Sequence, residues 1–375
     1  MADASVLLAG GGTAGHVNPL LAVADELQRR RPGTAVTVLG TAEGLEARLV
    51  PEHGLPLAHV PRVPLPRRPS TDLFRLPGRL RAAVAAAGKA IDESGAQVVV
   101  GFGGYVSTPA YLAARKRKIP VVIHEQNARP GLANRLGSRW AAAVAVTFAD
   151  TRLRGAQVTG LPLRASIAEL VAQRSADADA TRRAGAAALG LDPALPTLLV
   201  TGGSSGAASV NAAIAAAAPE LLAAGVQVLH LTGIGKSEPV VAALDGVAGA
   251  ERYVVREYLT DMHLALAAAD VVLARSGAGT VCELAALGIP AVYVPLPIGN
   301  GEQRLNAAGV IAAGGGLLVD DADLDAAWLL AHLPVLLVGP EAQETRARMG
   351  AAAASVGVPD AAGRVAALVE AQVRP

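Results

Sequence analysis

Short runs of apolar, β-prone residues alternate along the chain with longer alanine-rich stretches of helical character. The apolar runs fall into two series of predicted strands: 6–9, 35–39, 97–101, 121–124 and 143–147, then 197–201, 226–231, 252–255, 270–274 and 291–295. Strands that alternate with helices build βαβ units. The pattern therefore predicts an α/β protein with parallel sheets.

The two halves of the chain repeat the same local pattern. SVLLAGGGTAGH (5–16) has a counterpart in TLLVTGGSSGAAS (197–209), and VVVGFGGYVSTPA (98–110) is matched by DVVLARSGAGTVCE (270–283). Each stretch is a buried strand, then small residues, then a helix start. We therefore expect two Rossmann-like domains joined near 159–166. Ligands of such sheets bind beyond the carboxyl ends of the strands, which favours a site in a cleft between the domains.

Composition fits a large folded protein and excludes several classes of function. The 375 residues are 52% hydrophobic and 17% charged, enough for two domains with sizeable cores. A net charge of +1 indicates no nucleic-acid partner. The single cysteine, Cys282, excludes an internal disulfide and fits a reducing compartment. The start of the chain lacks the basic region of a signal peptide, so we expect a soluble or peripheral cytoplasmic protein.

The first glycine-rich loop fits a dinucleotide fingerprint only in part. Gly10, Gly12 and Gly15 give G-x-G-x-x-G between a strand and a helix, which is weak by itself. A nicotinamide cofactor also needs an acid at the end of the second strand, where Leu39 and Gly40 stand. We therefore expect no cofactor. The glycines still let a ligand approach the backbone at a helix N-terminus, which favours negative charge.

Two groups of polar residues follow predicted strands in the first half. His16 falls in the first turn of the helix after the glycine-rich loop. It is either a helix-start histidine bonded to a neighbour or a general base poised near neutral pH. The residues His124, Glu125, Gln126 and Asn127 follow the strand at 121–124 and form either part of a site or a hydrogen-bonded loop.

Two patterns that resemble metal sites are better explained otherwise. HEQN lacks the spacing of a zinc-binding HExxH motif. The acidic strings at 177–179 and 321–325 lie where helices are expected to begin, so solvated helix starts explain them. We therefore predict no catalytic metal site.

The second half offers groups suited to a nucleotide sugar. TGGSSGA (201–207) supplies backbone amides and hydroxyls at a helix start, which suits a diphosphate. Glu283, in RSGAGTVCE, falls one to two turns into a helix, where a carboxylate can accept two hydrogen bonds from a ribose diol. Gln303 and Asn306 are three residues apart and share a helix face. Glycine turns are also common structural corners, so each signal is moderate by itself.

The motifs GGGTAGH, GFGGYVS, HEQN, GLPLR, TGGSSGA, RSGAGTVCE and GEQRLNA, in this order, resemble the MurG family of glycosyltransferases (glycosyltransferase family 28). The resemblance runs from residue 6 to about residue 320. It implies the GT-B fold, two facing Rossmann-like domains with an inter-domain cleft. It also implies an N-terminal acceptor domain (1–162), a donor-binding domain (163–356) and a final helix (357–375) that packs back on the N-terminal domain.

The resemblance also implies the reaction. It is an inverting transfer of N-acetylglucosamine from UDP-GlcNAc to the C4 hydroxyl of undecaprenyl-pyrophosphoryl-MurNAc-pentapeptide, which converts lipid I to lipid II in peptidoglycan synthesis. The two rival classes are another UDP-sugar enzyme of the same fold, such as a 2-epimerase or an antibiotic glycosyltransferase, and a non-catalytic scaffold. Turnover without an acceptor would identify an epimerase.

Residue roles follow from the motif positions. The implied donor contacts are Thr13, Ala14, Gly15, Asn127, Arg164, Ser204, Leu259, Ala278, Gly279, Thr280, Val281, Cys282, Glu283 and Gln303. Leu259 would lie beside uracil and Glu283 on the ribose diol. His16 and Glu125 would lie on the acceptor side, with His16 as the first candidate for the catalytic base and Glu125 orienting or replacing it. Many relatives have glycine at position 14 and asparagine at position 160, where this chain has Ala14 and Gly160.

A basic segment, 62–81, is the candidate membrane surface. It contains six arginines and one acid, and Leu73, Phe74, Leu76 and Leu80 recur among them at helix-like spacing. The predicted membrane contacts are Arg67, Arg68, Leu73, Phe74, Arg75 and Leu76. Since a polyprenyl acceptor stays in the bilayer, we expect a peripheral enzyme on the anionic inner leaflet, at the cytoplasmic face of the cell membrane. The alternative is a core stripe with a solvated arginine rim.

Overall fold

The computed structural model describes residues 4–63, 72–203 and 205–373, with side chains in the helix that begins at Asp72 described from Leu76 onward. Some predicted site residues therefore lie outside the described part. These are Arg67, Arg68 and Ser204, together with the side chains of Leu73, Phe74 and Arg75.

The chain divides into two compact units, Met1–Arg164 with Val358–Pro375, and Ala165–Gly357. In the first unit the strands are β1 (Ser5–Ala9), β2 (Ala35–Gly40), β3 (Leu57–His59), β4 (Val98–Gly101), β5 (Val121–Glu125), β6 (Ala143–Val146) and β7 (Ala156–Val158). Its first helices are α1 (Ala14–Arg30), α2 (Glu46–Glu52), α3 (Asp72–Ser94), α4 (Ser107–Arg117) and α5 (Leu132–Gly137).

The second unit has the same alternation. Its helices are α6 (Ala165–Ala176), α7 (Ala178–Leu189), α8 (Ala208–Ala223), α9 (Glu238–Ala243), α10 (Met262–Ala268), α11 (Ala278–Leu287), α12 (Glu302–Ala313), α13 (Ala326–His332), α14 (Pro334–Leu337) and α15 (Ala342–Ala354). Its strands are β8 (Thr197–Thr201), β9 (Gln227–Leu231), β10 (Tyr253–Arg256), β11 (Val271–Ala274), β12 (Ala291–Tyr293) and β13 (Gly316–Leu318). The last helix of the chain is α16 (Ala361–Glu370).

Each unit contains one parallel sheet. The strand order is β3-β2-β1-β4-β5-β6-β7 in the first and β10-β9-β8-β11-β12-β13 in the second. The predicted α/β fold with two Rossmann-like parallel sheets is therefore confirmed. Strand order reverses between β1 and β4 and between β8 and β11, the positions at which such sheets bind ligands beyond the carboxyl ends of the strands.

The central strands of the first sheet are buried on both faces, which is why β1, β4, β5 and β6 are continuous apolar runs. Val6 and Leu8 of β1 pack into one core cluster, and Leu7 and Ala9 pack into another on the opposite face. Side chains alternate across a strand, so one apolar run supplies both cores. This burial fixes the end of β1, and with it the position of the loop that follows.

The last helix, α16, belongs to the first unit. Val365, Ala366 and Val369 are fully buried in the core cluster that also contains residues of α1. Glu370 forms an ion pair with Arg30 of α1 at 2.8 Å. The end of the chain thus completes one face of the first sheet.

Within the described part of the chain, no helix combines the length and apolarity required to cross a bilayer.

Candidate active site

The site in the first unit is built from three loops at the carboxyl edge of the sheet, after β1, β4 and β5. The hydroxyl of Ser107, in the first turn of α4, joins two of them. It lies 3.1 Å from the Ala9 carbonyl and 2.8 Å from the Gly103 carbonyl, and it accepts a hydrogen bond from the Gly103 N–H at 2.9 Å. Ser107 is fully buried, so this joint is fixed at the point where the strand order reverses.

Two glycines of the second loop pack against the first loop. Gly103 and Gly104 have φ of +91° and +79°, a conformation that other residues rarely adopt. A Cβ at position 103 would lie 3.2 Å from Nε2 of His16, and one at position 104 would lie 2.8 Å from the Gly11 carbonyl oxygen. Gly103 therefore makes room for the imidazole of His16, and Gly104 makes room for the Gly11 backbone.

His16 itself is half-buried in the first turn of α1. Its Nδ1 lies 3.0 Å from Oγ1 of Thr13. Burial lowers its pKa below the ordinary value, although the nearby Gly11 backbone and the charge of Glu46 oppose this shift. The imidazole is therefore neutral at pH 7, the state that a general base needs.

Glu46, at the start of α2, is part of the candidate site but was not among the residues predicted from the sequence. Its carboxylate is fully buried beneath the first loop and accepts hydrogen bonds from the Gly12 N–H at 2.8 Å, the Thr41 N–H at 2.9 Å and the Thr41 hydroxyl at 2.7 Å. Burial would raise its pKa, but these bonds outweigh burial and hold it below its usual range. A Cβ at Gly11 or Gly44 would lie 2.4 Å or less from this carboxylate.

The glycines around Glu46 therefore leave room for this buried carboxylate as well as for any ligand. Because the Gly12 amide already donates to an anion, it is not available to a phosphate group. A negative charge beneath the loop also opposes a second anion there. Both points argue against a dinucleotide at the first loop. The glycines around the acid in VLGTAEGLE were the available sequence signal.

Glu125, the other candidate base, is held within its own loop. Only 2% of its surface is exposed. One carboxylate oxygen accepts the Asn127 N–H at 3.0 Å, and the other accepts the Gly131 N–H at 3.0 Å and Nδ2 of Asn134 at 2.9 Å. Burial raises its pKa, and these bonds oppose the rise. This geometry fits a positioning carboxylate better than a proton acceptor.

His124 connects the same loop to the end of the first unit. It is fully buried, and burial lowers its pKa to about 4, so it is neutral. In the tautomer that its partners require, Nδ1 accepts from the Gln126 amide at 3.1 Å and Nε2–H donates to the Gly160 carbonyl at 2.9 Å. Gly160 has φ of +78°, and a Cβ there would lie 2.5 Å from Val358. Arg164 follows as the last residue of this segment and is half-buried.

In the second unit, the start of α11 has the features of a diphosphate site. Its N-cap residue, Gly277, provides no side-chain cap, so the first amides of a ten-residue helix lack an internal acceptor. A Cβ at Gly277 or Gly279 would meet no atom within 4 Å, which leaves open space in front of the helix. Glu283 is half-buried in the second turn of this helix.

Beside this helix start, the loops after β8 and β9 pack backbone to backbone. A Cβ at Gly206 would lie 2.1 Å from the Thr232 carbonyl oxygen, and one at Gly233 would lie 2.6 Å from Gly206. Both glycines have positive φ. The end of the loop at Gly206 is therefore held against the loop after β9, just before α8, which begins at Ala208 without a side-chain cap.

Polar side chains brace the helix start from the other side. Arg275, at the end of β11, forms an ion pair with Asp321 at 2.5 Å and donates to the Ser209 hydroxyl at 3.1 Å. Asn306 is 1% exposed and donates to the Ser276 carbonyl at 3.3 Å. Oε1 of Gln303 accepts from the Leu296 N–H at 3.0 Å, which fixes that side chain at the start of α12.

Most of the predicted donor and acceptor residues that the structure describes thus follow strands, at the carboxyl edges of the two sheets. Thr13, Ala14, Gly15 and His16 surround the start of α1, and Glu125 and Asn127 lie in the loop after β5. Residues 278–283 all lie on α11, with Cys282 half-buried, and half-buried Leu259 lies between β10 and α10. Among the described residues, no cluster of three or more His, Cys, Asp or Glu side chains could hold a metal ion.

Comparisons with family models and with known proteins give matches over most of the chain. The model of the glycosyltransferase family 28 N-terminal domain matches residues 6–146, and that of the family's C-terminal domain matches residues 197–365. A protein of Frankia casuarinae is 56% identical over 366 residues and one of Paenarthrobacter aurescens is 54% identical over 365. Each match covers 97% of this chain and 95% of the relative.

Both relatives are named UDP-N-acetylglucosamine–N-acetylmuramyl-(pentapeptide) pyrophosphoryl-undecaprenol N-acetylglucosamine transferase. The crystal structure of Acinetobacter baumannii MurG is similar with a TM-score of 0.77 and 27% identity, covering 99% of this chain and 100% of that one. The two family models together span more than half of the sequence, and the relatives share more than half of their residues with it. The chain therefore belongs to glycosyltransferase family 28.

Proposed function

We propose that the protein is a hexosyltransferase that moves N-acetylglucosamine from UDP-GlcNAc to the C4 hydroxyl of undecaprenyl-pyrophosphoryl-MurNAc-pentapeptide, converting lipid I to lipid II. The observation that carries the chemistry is His16, a neutral, half-buried imidazole where the first sheet reverses its strand order. Relatives that carry this activity in their names are 54–56% identical over almost the whole chain. This supports a transferase over a scaffold.

The first unit serves the acceptor in this proposal. The acceptor C4 hydroxyl attacks C1 of the N-acetylglucosamine, its proton passes to His16, and the electron pair of the C1–O bond leaves with UDP. Single displacement inverts C1 and gives a β-1,4 bond. Thr13 orients the imidazole, and buried Glu46 lends it negative charge. Glu125 positions the loop that carries Asn127, which would meet the donor sugar.

The second unit holds the nucleotide in this proposal. The diphosphate lies at the uncapped start of α11, where helix amides stabilise the negative charge that grows as UDP leaves. Glu283 accepts hydrogen bonds from the ribose diol, and Gln303 reaches the sugar hydroxyls. Leu259 lies beside uracil. By the resemblance, Arg164 and Ser204 would contact the diphosphate or nearby groups.

Transfer of labelled sugar tests the proposal. Purified protein with UDP-[¹⁴C]GlcNAc and lipid I should yield labelled lipid II, and no ManNAc derivative should form when the acceptor is omitted. Epimerisation without an acceptor would assign the chain to a 2-epimerase instead. Turnover of an aglycone with no transfer to lipid I would indicate a natural-product glycosyltransferase.

The lipid-linked acceptor also requires the enzyme to act at a membrane surface. Its polyprenyl chain stays in the bilayer, so the proposal includes peripheral binding to the anionic inner leaflet. Arg62, Arg79 and Arg81 of the basic segment are exposed, and Leu76 and Leu80 are half-buried. Each surface arginine contributes on the order of 1 kcal/mol at such a leaflet.

Replacing Arg67, Arg68 and Arg75 by Glu should abolish sedimentation with phosphatidylglycerol vesicles, whereas UDP-GlcNAc affinity should persist. Undiminished sedimentation at low salt would assign the contact to another surface.

A further inference from the structure

The second unit contains a cavity at the opposite edge of its sheet. The cavity has a volume of about 520 Å³. Its lining includes Pro196, Asp270 and Pro290, the residues directly before β8, β11 and β12. Because these strands are parallel, the cavity lies at their amino ends, whereas the candidate nucleotide site lies at their carboxyl ends. The volume falls within the range of small-molecule sites.

Three arginines line this cavity, Arg174, Arg182 and Arg346. One of them, Arg182, uses most of its donors in hydrogen bonds within the protein. Both oxygens of Asp270 accept from Arg182, with the shortest distance 2.7 Å, and one also accepts the Thr197 N–H at 2.8 Å. The Nη atoms of Arg182 further donate to the Pro193 and Leu195 carbonyls at 2.7 Å. Arg182 therefore uses four of its five N–H groups within the fold and keeps one, on Nη1.

Arg174 is different, because most of its donors are unused. Its Nε donates to the carbonyl of Leu287, the last residue of α11, at 3.2 Å. Among the described residues neither of its Nη atoms has a hydrogen-bond partner. Burial lowers the pKa of this guanidinium, Asp270 opposes the shift and Arg182 adds to it. Capping α11 uses one of its five N–H groups, so the cap does not explain why a cation is desolvated here.

Arg346 of α15 lines the same cavity. It donates from Nη1 to the Leu336 carbonyl at 2.8 Å, and its Nε lies 3.8 Å from Asp270. Three guanidiniums thus share the cavity with two carboxylates, Asp179 and Asp270, and the surplus is positive. Both oxygens of Asp270 are already occupied by Arg182, so they do not satisfy the open donors of Arg174.

We propose that this cavity is a binding site for the phosphate group of a small soluble phosphate ester, held by Arg174 and Arg346. A guanidinium with two open Nη atoms matches two oxygens of one phosphate, and a phosphate has a third oxygen for a second arginine. Such a ligand would join α6 to α15 and restore a counter-charge to Arg174. The site is independent of the proposed transferase activity.

The test is calorimetric titration of the full-length protein with inorganic phosphate at constant ionic strength. Saturating UDP keeps the nucleotide site filled throughout. Wild type should bind phosphate saturably, and Arg174→Gln or Arg346→Gln should each weaken binding about tenfold, the scale of a lost charged hydrogen bond. Arg183→Gln on α7 and Arg348→Gln on α15 are matched controls, since both residues are exposed and neither lines the cavity. The controls should bind phosphate like wild type.

Melting curves confirm that each variant is folded. Since Arg174 and Arg346 should hold the same phosphate, both variants should show weaker binding. Absence of saturable binding to wild type would overturn the proposal, as would equal affinity in wild type and both variants. Sedimentation with phosphatidic acid vesicles separates the two sources of phosphate. Binding to vesicles that depends on Arg174, without binding of free phosphate, would overturn the soluble-ligand assignment in favour of a lipid headgroup.

Discussion

At the scale of single residues, the proposed chemistry depends on the protonation state of His16. The residue must be neutral to accept the proton of the acceptor hydroxyl. Burial lowers its pKa below the ordinary 6.5. Activity should therefore be constant around neutral pH and fall as the pH drops through this lowered pKa.

The pH profile of kcat/KM measures this directly, because it reports groups of the free enzyme. Its acid limb should lie below pH 6.5 and should be absent in His16→Ala. The limb should persist in the control His53→Ala, since His53 is a surface residue that pairs with Asp25. An acid limb above pH 6.5, or one retained in His16→Ala, would assign it to another group.

Glu46 gives a second prediction at this scale. Glu46→Gln keeps the shape of the side chain but removes the negative charge that raises the His16 pKa. The acid limb should therefore move to lower pH, and the plateau of kcat/KM should fall. An amide can accept on one side only, so the bond to Gly12 or those to Thr41 should be lost, at a cost of about 1–3 kcal/mol in the free energy of unfolding. A stability loss with an unchanged acid limb would show that Glu46 only supports the loop.

Single residues also show which parts of the candidate site could be predicted from the sequence and which could not. His16 and Glu283 stand in motifs whose position after a strand indicates a site. Glu46 stands at a helix start with glycines nearby, but the hydrogen bonds that Gly12 and Thr41 donate to it from two separate loops appear only in the structure. Asp321 was expected to be a solvated helix start but forms an ion pair with Arg275, 46 positions earlier in the sequence. Such partners are set by tertiary packing, which a local pattern does not contain.

At the scale of elements, the start of α11 makes a prediction in which stability and affinity change in opposite directions. Gly279 has open space around its Cβ position and no positive φ, so a side chain fits there. Gly279→Asp adds negative charge in the first helical turn, which should raise stability by about 0.3–1 kcal/mol. The same charge would repel the diphosphate, so UDP affinity should fall.

Gly279→Asn is the matched control, because it has nearly the same size without the charge. Thermal unfolding and UDP titration of both variants separate the effects. Equal loss of UDP affinity in the two variants would indicate a steric effect. Unchanged affinity in both would remove the start of α11 from the diphosphate site.

Strands could be predicted from the sequence where their burial produces a run of apolar residues. All ten predicted runs contain a strand, and most of these strands are buried and apolar, although β10 is only partly buried. The strands β3, β7 and β13 were not predicted. Each has three residues at the edge of its sheet, and β7 is exposed throughout, so their apolar runs are short or absent. Their pairing depends on the neighbouring strand and not on their own sequence.

At the scale of the whole molecule, the two tryptophans report on different units. Trp140 lies in the first unit and Trp328 in the second. Truncation after Gly357 removes α16 and exposes the core around Val365 and Val369, each worth about 1.5–3 kcal/mol when fully buried. The melting temperature reported by Trp140 should then fall on the order of 10 °C.

The second unit provides the control in the same experiment. Trp140→Phe and Trp328→Phe leave one reporter each, and the transition seen by Trp328 should not change on truncation. An unchanged Trp140 transition would mean that α16 contributes little to the first unit. Equal shifts of both transitions would mean that the helix stabilises both units.

Paired kinetics of His16→Ala and Glu283→Ala, with labelled UDP-GlcNAc and lipid I, test most directly whether the base lies in one unit and the nucleotide binds to the other. His16→Ala should lower kcat by roughly 10²–10⁴ and leave donor Kd within about twofold of wild type. Glu283→Ala should weaken donor binding by about 1–3 kcal/mol, or roughly 5–150-fold in Kd. The reverse pattern, in which His16→Ala weakens donor binding at unchanged kcat or Glu283→Ala leaves donor Kd unaltered, would contradict the account.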